Sequence, residues 1–386
     1  MHNIVVLGVG IAGAPIIRQT MKNVVLPSND YKLYVVVPTT HYHFPLAMPR
    51  VIVPGQIPDE KILFELAPHF KEYPAEKFEF VLGKAESLDP KGKVIEVSLN
   101  DGGSKSIAYN TLIVATGSSD PAGVPWKDIG TTEKTRAKIH AVQDEIKKAK
   151  TIVVVGGGAT GVETAGELGF EYSRNGTKEV ILVYKDALPL APLYKDSVRQ
   201  AAENELSKLK VRCIPNSTVT SVTRSGDDYV LELRSKDGST STLTAQAHIP
   251  ATGLTPNTAF APASLLDKSG RMKQTTFLQA EDYPDIFVVG DAGNLQQGTA
   301  LNASNQALHL IKSLPVYFKG GQPLKYEPDD KVVAAFTIGR GRGTGQVGNI
   351  KLFSLLVWWL KGRYLGTDIA YQLPAGKRTS MAVIEK

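Results

Sequence analysis

Cysteine is nearly absent from this sequence, with Cys213 alone among 386 residues. One cysteine cannot form a disulfide within the chain, and it cannot supply a redox-active cysteine pair or a zinc-finger type of metal site. Chemistry that passes electrons through two thiols of the same chain is therefore excluded. The composition also favours an intracellular, reducing environment.

Long apolar runs are missing as well. No stretch reaches the ~18 uninterrupted apolar residues of a membrane-spanning helix. The amino terminus lacks the basic region and the small-residue cleavage site of a secretory signal, and His2 stands where N-myristoylation requires glycine. We therefore expect an intracellular, cytoplasmic protein, with peripheral membrane association or a mitochondrial location left open.

The net charge of +6 is mildly basic and is not concentrated in one run. The densest basic groups lie at residues 147–150 and 340–342. We interpret the first as a helix end and the second as a flexible loop, the alternative being attraction to acidic lipid or to anionic cofactors. Neither is typical of a nucleic-acid-binding module, so no nucleic acid is expected as a partner.

A glycine-rich turn follows the first apolar run of the chain. The run from Ile4 to Leu7 is typical of a buried parallel strand, and a helical pattern from Ala14 to Lys22 follows the turn. In such a turn the first glycine allows a tight bend, the second admits a pyrophosphate, and the third lets the helix pack on the strand. We predict that a dinucleotide is bound by Gly8, Gly10, Ile11, Ala12 and Gly13.

The same plan recurs 148 residues later, where a buried strand at residues 152–155 leads into a second glycine turn. Each half later reaches a strand that ends in Thr-Gly, and a last apolar strand ends in Gly-Asp. The sequence therefore predicts two dinucleotide-binding units in one chain. The residues expected to contact cofactors at these positions are Ala115, Thr116, Gly117, Gly156, Gly158, Gly161, Gly253, Gly290 and Asp291.

Both units lack the acidic residue that usually ends the second strand and binds the ribose hydroxyls. Val37-Pro38 occupies that place in the first unit and Tyr184-Lys185 in the second. Without an acid, the second unit does not repel a 2′-phosphate, and Lys185 could attract one. We therefore expect NADPH to be accepted as well as NADH; the alternative is that Lys185 is an ordinary exposed loop lysine.

The order of these motifs resembles that of two-dinucleotide flavoprotein reductases. A finer similarity is to apoptosis-inducing-factor-like NAD(P)H oxidoreductases, the group that includes the ferroptosis-suppressor quinone reductase, and especially to its fungal members. Three segments carry this similarity, at residues 46–55 (LAMPRVIVPG), 161–167 (GVETAGE) and 359–363 (WLKGR). The resemblance covers essentially the whole chain.

This resemblance implies an α/β fold with two Rossmann-like dinucleotide-binding domains, arranged as in glutathione reductase, and a C-terminal extension. FAD is expected in the first unit and NAD(P)H in the second. The implied domains are an FAD-binding domain at 1–120 and 257–330, an NAD(P)H-binding domain at 121–256, and a C-terminal segment at 331–386.

The resemblance also implies roles for individual residues. Asp291 would contact the ribityl or pyrophosphate part of FAD, Arg50 would lie near FAD, and Glu163 would lie near the nicotinamide. The alternatives are a helix cap for Asp291, a surface ion pair for Arg50 and a solvated first-turn helix acid for Glu163.

The activity implied is hydride transfer from NAD(P)H to FAD, followed by reduction of a quinone-like acceptor or oxygen. An oxidase or reductase of a specialised-metabolite pathway and a slow-turnover, redox-sensing signalling protein stay open as alternatives. We expect no metal, because His41 and His43 offer too few ligands. Their loop is interpreted as a border of the flavin or acceptor, or as ordinary aromatic packing.

The apolar segment 352–361 is too short to span a bilayer. It could lie on a membrane surface, cover a quinone entry or pack in the core. Its tandem tryptophans indicate an interface with a membrane, a second subunit or another domain, so a homodimer is among the expected arrangements.

Overall fold

The computed structural model describes residues 1–385. Its elements are numbered here in chain order. The first nine strands are β1 (His2–Leu7), β2 (Tyr31–Val37), β3 (His41–His43), β4 (Leu63–Glu65), β5 (Phe78–Asp89), β6 (Val94–Leu99), β7 (Ser104–Ala108), β8 (Thr111–Val114) and β9 (Ser118–Ser119). The next eight are β10 (Thr151–Val155), β11 (Glu179–Val183), β12 (Arg212–Ile214), β13 (Ser217–Ser225), β14 (Asp228–Ser235), β15 (Thr240–Ala245), β16 (Ala247–Pro250) and β17 (Thr255–Pro256).

The last five strands are β18 (Gln279–Ala280), β19 (Tyr283–Val288), β20 (Val333–Ile338), β21 (Arg342–Val347) and β22 (Ile350–Lys351). The α-helices are α1 (Gly13–Thr20), α2 (Met48–Val51), α3 (Thr132–Lys148), α4 (Ala159–Glu171), α5 (Asp196–Lys208), α6 (Ala300–Phe318) and α7 (Ser354–Val357). Wider π-helical turns continue α1 over Met21–Val25 and α7 over Trp358–Gly362. Within residues 1–385, no helix is both long and apolar enough to cross a bilayer.

The largest sheet has the strand order β18-β19-β8-β1-β2-β5-β6-β7. Its five central strands, from β19 to β5, run parallel. The apolar runs of β1 and β8 lie in the middle of this sheet, where both faces are covered. The glycine turn follows β1, the central parallel strand. Helices α1 and α6 pack against each other beside this sheet.

A second, four-stranded parallel sheet has the order β12-β11-β10-β16. The antiparallel meander β13-β14-β15 covers one of its faces, where Val153 and Ile181 pack against Leu231 and Leu233. Helix α4 packs against its strands as well. The predicted strand, glycine turn and helix are therefore confirmed, and with them the α/β class and the two Rossmann-like units.

The carboxyl-terminal part forms a small antiparallel sheet, β20-β21-β22, followed by α7 and its π-helical turn. The flexible loop predicted around residues 340–342 is shorter than expected, since β21 begins at Arg342 and pairs along its whole length with β20. Only a tight turn separates the two strands. The predicted helix end near Lys147 is confirmed, because α3 ends at Lys148. Helix α5 lies in a segment for which no element was predicted.

Candidate functional site

The first glycine turn has the geometry of a dinucleotide cradle. Gly8 has a φ of +98°, and a Cβ atom there would lie 2.5 Å from the carbonyl oxygen of Ala115. A Cβ atom on Gly13 would overlap the carbonyl oxygen of Gly8. At Gly10, by contrast, a Cβ atom would meet nothing within 4 Å. The first and third glycines are thus required by the protein's own packing, whereas the second leaves open space for a ligand.

The second turn repeats this arrangement position by position. Gly156 has a φ of +123° and abuts the carbonyl oxygen of Ala251, Gly161 abuts that of Gly156, and Gly158 faces open space. Helix α4 begins directly after Gly158, so its unpaired amide groups point toward that space, as phosphate binding requires. Residues of both turns therefore fit two separate nucleotides.

The Thr-Gly segments lie beside these turns. Ala115 contacts the first turn through Gly8 and Gly13, and Ala251 contacts the second in the same way. Thr116 is tied to the returning chain, because its hydroxyl donates to the carbonyl oxygen of Asn257 at 2.8 Å. Gly117 and Gly253 both have positive φ values and face open space. The structure thus brings Ala115, Thr116 and Gly117 to the first turn.

Asp291 lies in a short 3-10 turn after β19 and is buried. It accepts hydrogen bonds from the Ser118 hydroxyl at 2.6 Å and the Lys127 ammonium at 3.1 Å. Burial alone would raise the pKa of Asp291, but Lys127 and Ser118 outweigh it and hold the pKa below its usual range. The helix-cap alternative is wrong, because α6 begins at Ala300 and Thr299 caps it. Asp291 is therefore an ionised carboxylate at neutral pH.

His43 lies near Lys127, the partner of Asp291, and is almost fully buried. Burial, together with the nearby Lys127, lowers the pKa of His43 to about 3, so its ring is neutral at physiological pH. One ring nitrogen lies 3.5 Å from the Asp128 carboxylate and the other 3.2 Å from the Met48 sulfur. Within the described residues, no group of three or more side chains is arranged to hold a metal ion.

The neighbouring His41 faces a different environment. It lines an open cavity of about 570 Å³ together with Asp59, Glu65, Arg136 and Tyr371. Burial lowers the pKa of His41, and Arg136 adds to this effect. The loop therefore borders a polar cavity on one side and the buried His43 on the other, which is compatible with the expected role beside an acceptor.

Helix α4 presents a row of three glutamates, spaced four residues apart on one face, and each pairs with a cation from another part of the chain. The partners are Lys361 for Glu163, at 2.6 Å, Arg50 for Glu167, at 2.7 Å, and Arg340 for Glu171, at 2.7 Å. We call this set the α4 glutamate row. Sequence reasoning missed it, although the spacing of the acids is visible in the sequence.

The pair between Arg50 and Glu167 is bidentate, with a second hydrogen bond of 2.9 Å, and both side chains are buried. Arg50 also donates to the carbonyl oxygen of Gly362 at 2.9 Å. The alternative that Arg50 forms a surface ion pair is therefore wrong, because both partners are buried inside the protein. A single guanidinium joins α2 of the first unit, α4 of the second unit and the carboxyl-terminal segment.

Glu163 is buried as well, and the alternative of a solvated helix acid is wrong. Besides Lys361, its carboxylate accepts hydrogen bonds from the backbone amide and the hydroxyl of Thr337, at 2.9 and 3.0 Å. The three segments at 46–55, 161–167 and 359–363 that carried the sequence resemblance thus meet at the α4 glutamate row.

In the second unit, Tyr184 directly follows β11, at the position where a ribose-binding acid is usual. Tyr184 is buried, packs against Gly157 of the glycine turn, and donates a hydrogen bond to Glu203 of α5 at 3.0 Å. Lys185 follows it with an exposed side chain. Glu203 was not predicted, because α5 itself was not.

The fold and the two glycine cradles define the class of protein as an oxidoreductase built on two dinucleotide-binding units. Residues 2–307 match the family model for pyridine nucleotide-disulphide oxidoreductases, and the chain belongs to that family. It is a FAD-dependent NAD(P)H oxidoreductase of the expected apoptosis-inducing-factor-like type. Arg50, Glu163, Asp291 and Lys185 have the surroundings described above, and their contacts with cofactors stay predictions.

Relatives are found among fungal and animal proteins. The chain is 35% identical to "Oxidoreductase ptaL" of Pestalotiopsis fici over 92% of this chain and 94% of the relative. It is 31% identical to "Ferroptosis suppressor protein 1" of Taeniopygia guttata, over 74% and 76% of the two chains. Among solved structures, the sulfide:quinone oxidoreductase of Aquifex aeolicus has a TM-score of 0.76 at 17% identity, covering 97% of this chain and 92% of its own. NDH2 of Plasmodium falciparum in complex with NADH has a TM-score of 0.77 at 14% identity, covering 96% and 97%.

Proposed function

We propose that this protein passes a hydride from NAD(P)H to FAD and then delivers electrons to a diffusible, quinone-like acceptor or to oxygen. The observation that carries the proposal is the pair of matching glycine cradles in a chain with a single cysteine. Two nucleotides have separate sites, but no thiol pair is available to take the electrons onward. A small molecule must therefore collect them.

The lone thiol has no part in this path. Cys213 lies in β12 of the second unit, and its mostly buried position raises the pKa of the thiol to about 11. It is therefore protonated at physiological pH and is neither nucleophilic nor redox-active. This environment distinguishes the protein from family members that act on disulfides.

In this proposal, the first turn holds FAD through the open face of Gly10, and Asp291 binds its ribityl or pyrophosphate part. When bound, FAD supplies the hydride-accepting and electron-donating chemistry. The second turn holds NAD(P)H through the open face of Gly158 and the amide groups at the start of α4. Glu163, whose Oε1 is held by Lys361 and Thr337, lies on the nicotinamide side in this proposal.

The second unit is proposed to accept NADPH as well as NADH. Neither of the two residues directly after Val183 is acidic, and the exposed Lys185 lies where a 2′-phosphate would be placed on a unit of this type. The flexible ammonium group acts there as a point charge rather than as a shaped binding site. We expect both nucleotides to be accepted rather than one of them to be strictly selected.

The test begins with the absorption spectrum of the purified protein, which should show bound oxidised flavin. Anaerobic addition of NADH or NADPH should bleach the flavin, and aerobic turnover should then be measured with a series of quinones and with oxygen. A protein without flavin would contradict the central claim. Rapid bleaching without steady-state turnover of any acceptor would favour the slow, redox-sensing alternative, and turnover of a specialised metabolite alone would favour the biosynthetic alternative.

Cys213→Ser is the matched control, because it removes the only thiol with little change in shape. This variant should turn over NAD(P)H and quinone without measurable loss. A large loss of turnover, with flavin still bound, would show that the thiol takes part in electron transfer.

A further inference from the structure

Asp128 lies in the segment that connects the two nucleotide-binding units, between β9 and α3. The preceding residue, Lys127, binds the Asp291 carboxylate with its ammonium group at 3.1 Å. Asp291 is the residue proposed to hold the ribityl or pyrophosphate part of FAD, so this segment lies beside the proposed redox site. Hydride transfer from NAD(P)H to FAD requires no carboxyl group there, so a chemical role of Asp128 belongs to another step.

The Asp128 side chain is 44% exposed, yet burial raises its pKa to about 7. The two facts agree if the carboxyl group lines a deep cleft, where many protein atoms surround it while its oxygen atoms stay open to a ligand. The nearby Lys127 ammonium lowers the pKa of Asp128, but by less than burial raises it. Such a carboxyl group is partly protonated at neutral pH and accessible to a substrate.

Two residues of β3 face this carboxyl group. Asp128 Oδ1 lies 3.5 Å from His43 Nδ1, slightly longer than a hydrogen bond, as is common for catalytic pairs before the substrate binds. His43 is neutral at physiological pH, so its Nδ1 accepts a hydrogen bond from a protonated carboxyl group. The buried Tyr42 hydroxyl has no hydrogen-bond partner among the described residues, and burial, followed by the nearby Asp128, raises the pKa of Tyr42. Neither neighbour supplies a positive charge that would keep Asp128 ionised.

Reduction of a quinone by NAD(P)H consumes one proton beyond the hydride. Conversion to the hydroquinone takes two electrons and two protons, whereas the hydride supplies two electrons and one proton. The second proton comes from a group within hydrogen-bond reach of a quinone oxygen atom. A general acid is most effective when its pKa lies near the working pH, and the Asp128 pKa of about 7 meets that condition.

We infer that Asp128 donates this second proton to an oxygen atom of the quinone, with His43 orienting the carboxyl group. The Oδ–H bond of Asp128 breaks as an O–H bond forms on the quinone oxygen, and the carboxylate then regains a proton from water. His43 is a positioning residue, since its Nδ1 faces the carboxyl oxygen. The inference rests on the proposed function, because it assigns a residue to the acceptor half of that reaction.

The first test compares two acceptors under the same conditions. Ferricyanide takes up electrons one at a time and no proton, so its reduction does not need an acid. On the acidic side of its pKa, replacing the acid in Asp128→Asn should slow quinone reduction by at least about tenfold, since general acids contribute about a hundredfold or more and water replaces them in part. Ferricyanide reduction should change little. Quinone reduction by the unmodified protein should fall as the pH rises through about 7, because the Asp128 pKa lies there, and this fall should be missing in Asp128→Asn.

An infrared titration of the FAD-loaded, oxidised protein checks the carboxyl group without turnover. The stretching band of a protonated carboxyl group should disappear with a midpoint at the Asp128 pKa of about 7, and Asp128→Asn should lack this band. Asp144→Asn is the matched control, because it makes the same chemical change at an exposed position of α3, and it should keep the band and the quinone rate. Asp128→Glu, which retains a carboxyl group, should recover part of the quinone rate.

Equal losses with quinone and ferricyanide in Asp128→Asn would indicate a structural defect and overturn the inference. An unchanged quinone rate in this variant, a fall with pH that persists in it, or a carboxyl midpoint near the ordinary aspartate value of about 4 would overturn it as well. Bleaching of the flavin by NAD(P)H together with ferricyanide turnover distinguishes these results from failure of the proposed function. That failure would appear as no turnover with either acceptor and would overturn both.

Discussion

The bidentate pair between Arg50 and Glu167 is a point where a single substitution should be strongly destabilising. In Arg50→Met, the Glu167 carboxylate, only 1% exposed, loses its cation, and the carbonyl oxygen of Gly362 loses its donor. Removing one partner of a buried ion pair costs about 3–5 kcal/mol, mainly because the remaining charge is uncompensated. We therefore expect Arg50→Met to be much more harmful than its modest change in volume suggests.

The size of the effect on thermal unfolding follows from the length of the chain. An unfolding entropy of about 2.1 cal/mol/K per residue gives about 0.8 kcal/mol/K for a chain of this length, so the midpoint should fall by about 4–6 °C. In Arg50→Met/Glu167→Met, both charges are absent and much of this loss should be recovered. Both variants can be followed by calorimetry of the FAD-loaded protein.

The control is Lys84→Met, which breaks an exposed pair with Glu86. Its side chains are 66% and 46% exposed, and such pairs contribute about 0–1 kcal/mol, so its midpoint should hardly change. The reasoning fails if Arg50→Met is as mild as Lys84→Met. It also fails if the double variant is destabilised by the full sum of the two single changes, because the cost would then not come from an unpaired charge.

Three further substitutions test other parts of the structure. Gly10→Val should fold, since its side chain meets only open space, but should lose at least about tenfold in FAD affinity by flavin titration, whereas retention of normal affinity would place FAD elsewhere. Lys185→Glu should raise the KM for NADPH by about tenfold and leave the KM for NADH nearly unchanged, because it introduces repulsion of a 2′-phosphate; equal changes for both nucleotides would count against that role. Burial favours the protonated form of Glu385, but three hydrogen bonds from α1 and the turn after it lower its pKa to about 2. The ionised Glu385 carboxylate and its hydrogen bonds therefore stabilise the fold above pH ~4.5, and this stabilisation is lost as the pH falls toward 2. Glu385→Gln should lower the melting temperature at pH 7 and match the unmodified protein near pH 2, and a constant difference at all pH values would show that charge is irrelevant there.

Much of the parallel architecture could be predicted from local sequence. Strands β1 and β10 are short apolar runs with glycines immediately after them, and only a βαβ unit combines a buried strand with such a turn. The recurrence of the pattern then indicated two units. These features depend on neighbouring residues, so the sequence alone was sufficient.

The α4 glutamate row could not be predicted from local sequence. Glu163 and its partner Lys361 are 198 residues apart, and Glu167 and Arg50 are 117 residues apart. Acids spaced by four residues on a helix are ordinary in solvent, and nothing local distinguishes a buried row from an exposed one. The pairing depends on how the carboxyl-terminal sheet packs on α4, which requires the tertiary structure.

Strand β21 was missed for a different physical reason. Gly343 and Gly345 give it a low intrinsic tendency to form a strand. Both glycines are needed for close approach: a Cβ atom on Gly343 would meet the carbonyl oxygen of Phe336 at 2.6 Å, and one on Gly345 would overlap that of Ala334. Tertiary packing therefore selects the residues that make the strand hard to recognise.

Because Arg50 joins α2, α4 and the backbone at Gly362, rotation of the two nucleotide-binding units against each other would break buried charge pairs. Large hinge closure is correspondingly costly for this enzyme. Entry and release of the nicotinamide nucleotide should instead depend on short loops at the rim. The segment after Lys185 lies against the second turn, where the amide group of Leu190 donates to the carbonyl oxygen of Gly157 at 2.6 Å. We therefore expect substitutions in this segment to change the rate of nucleotide exchange without changing how the two nucleotide-binding units are held together by Arg50.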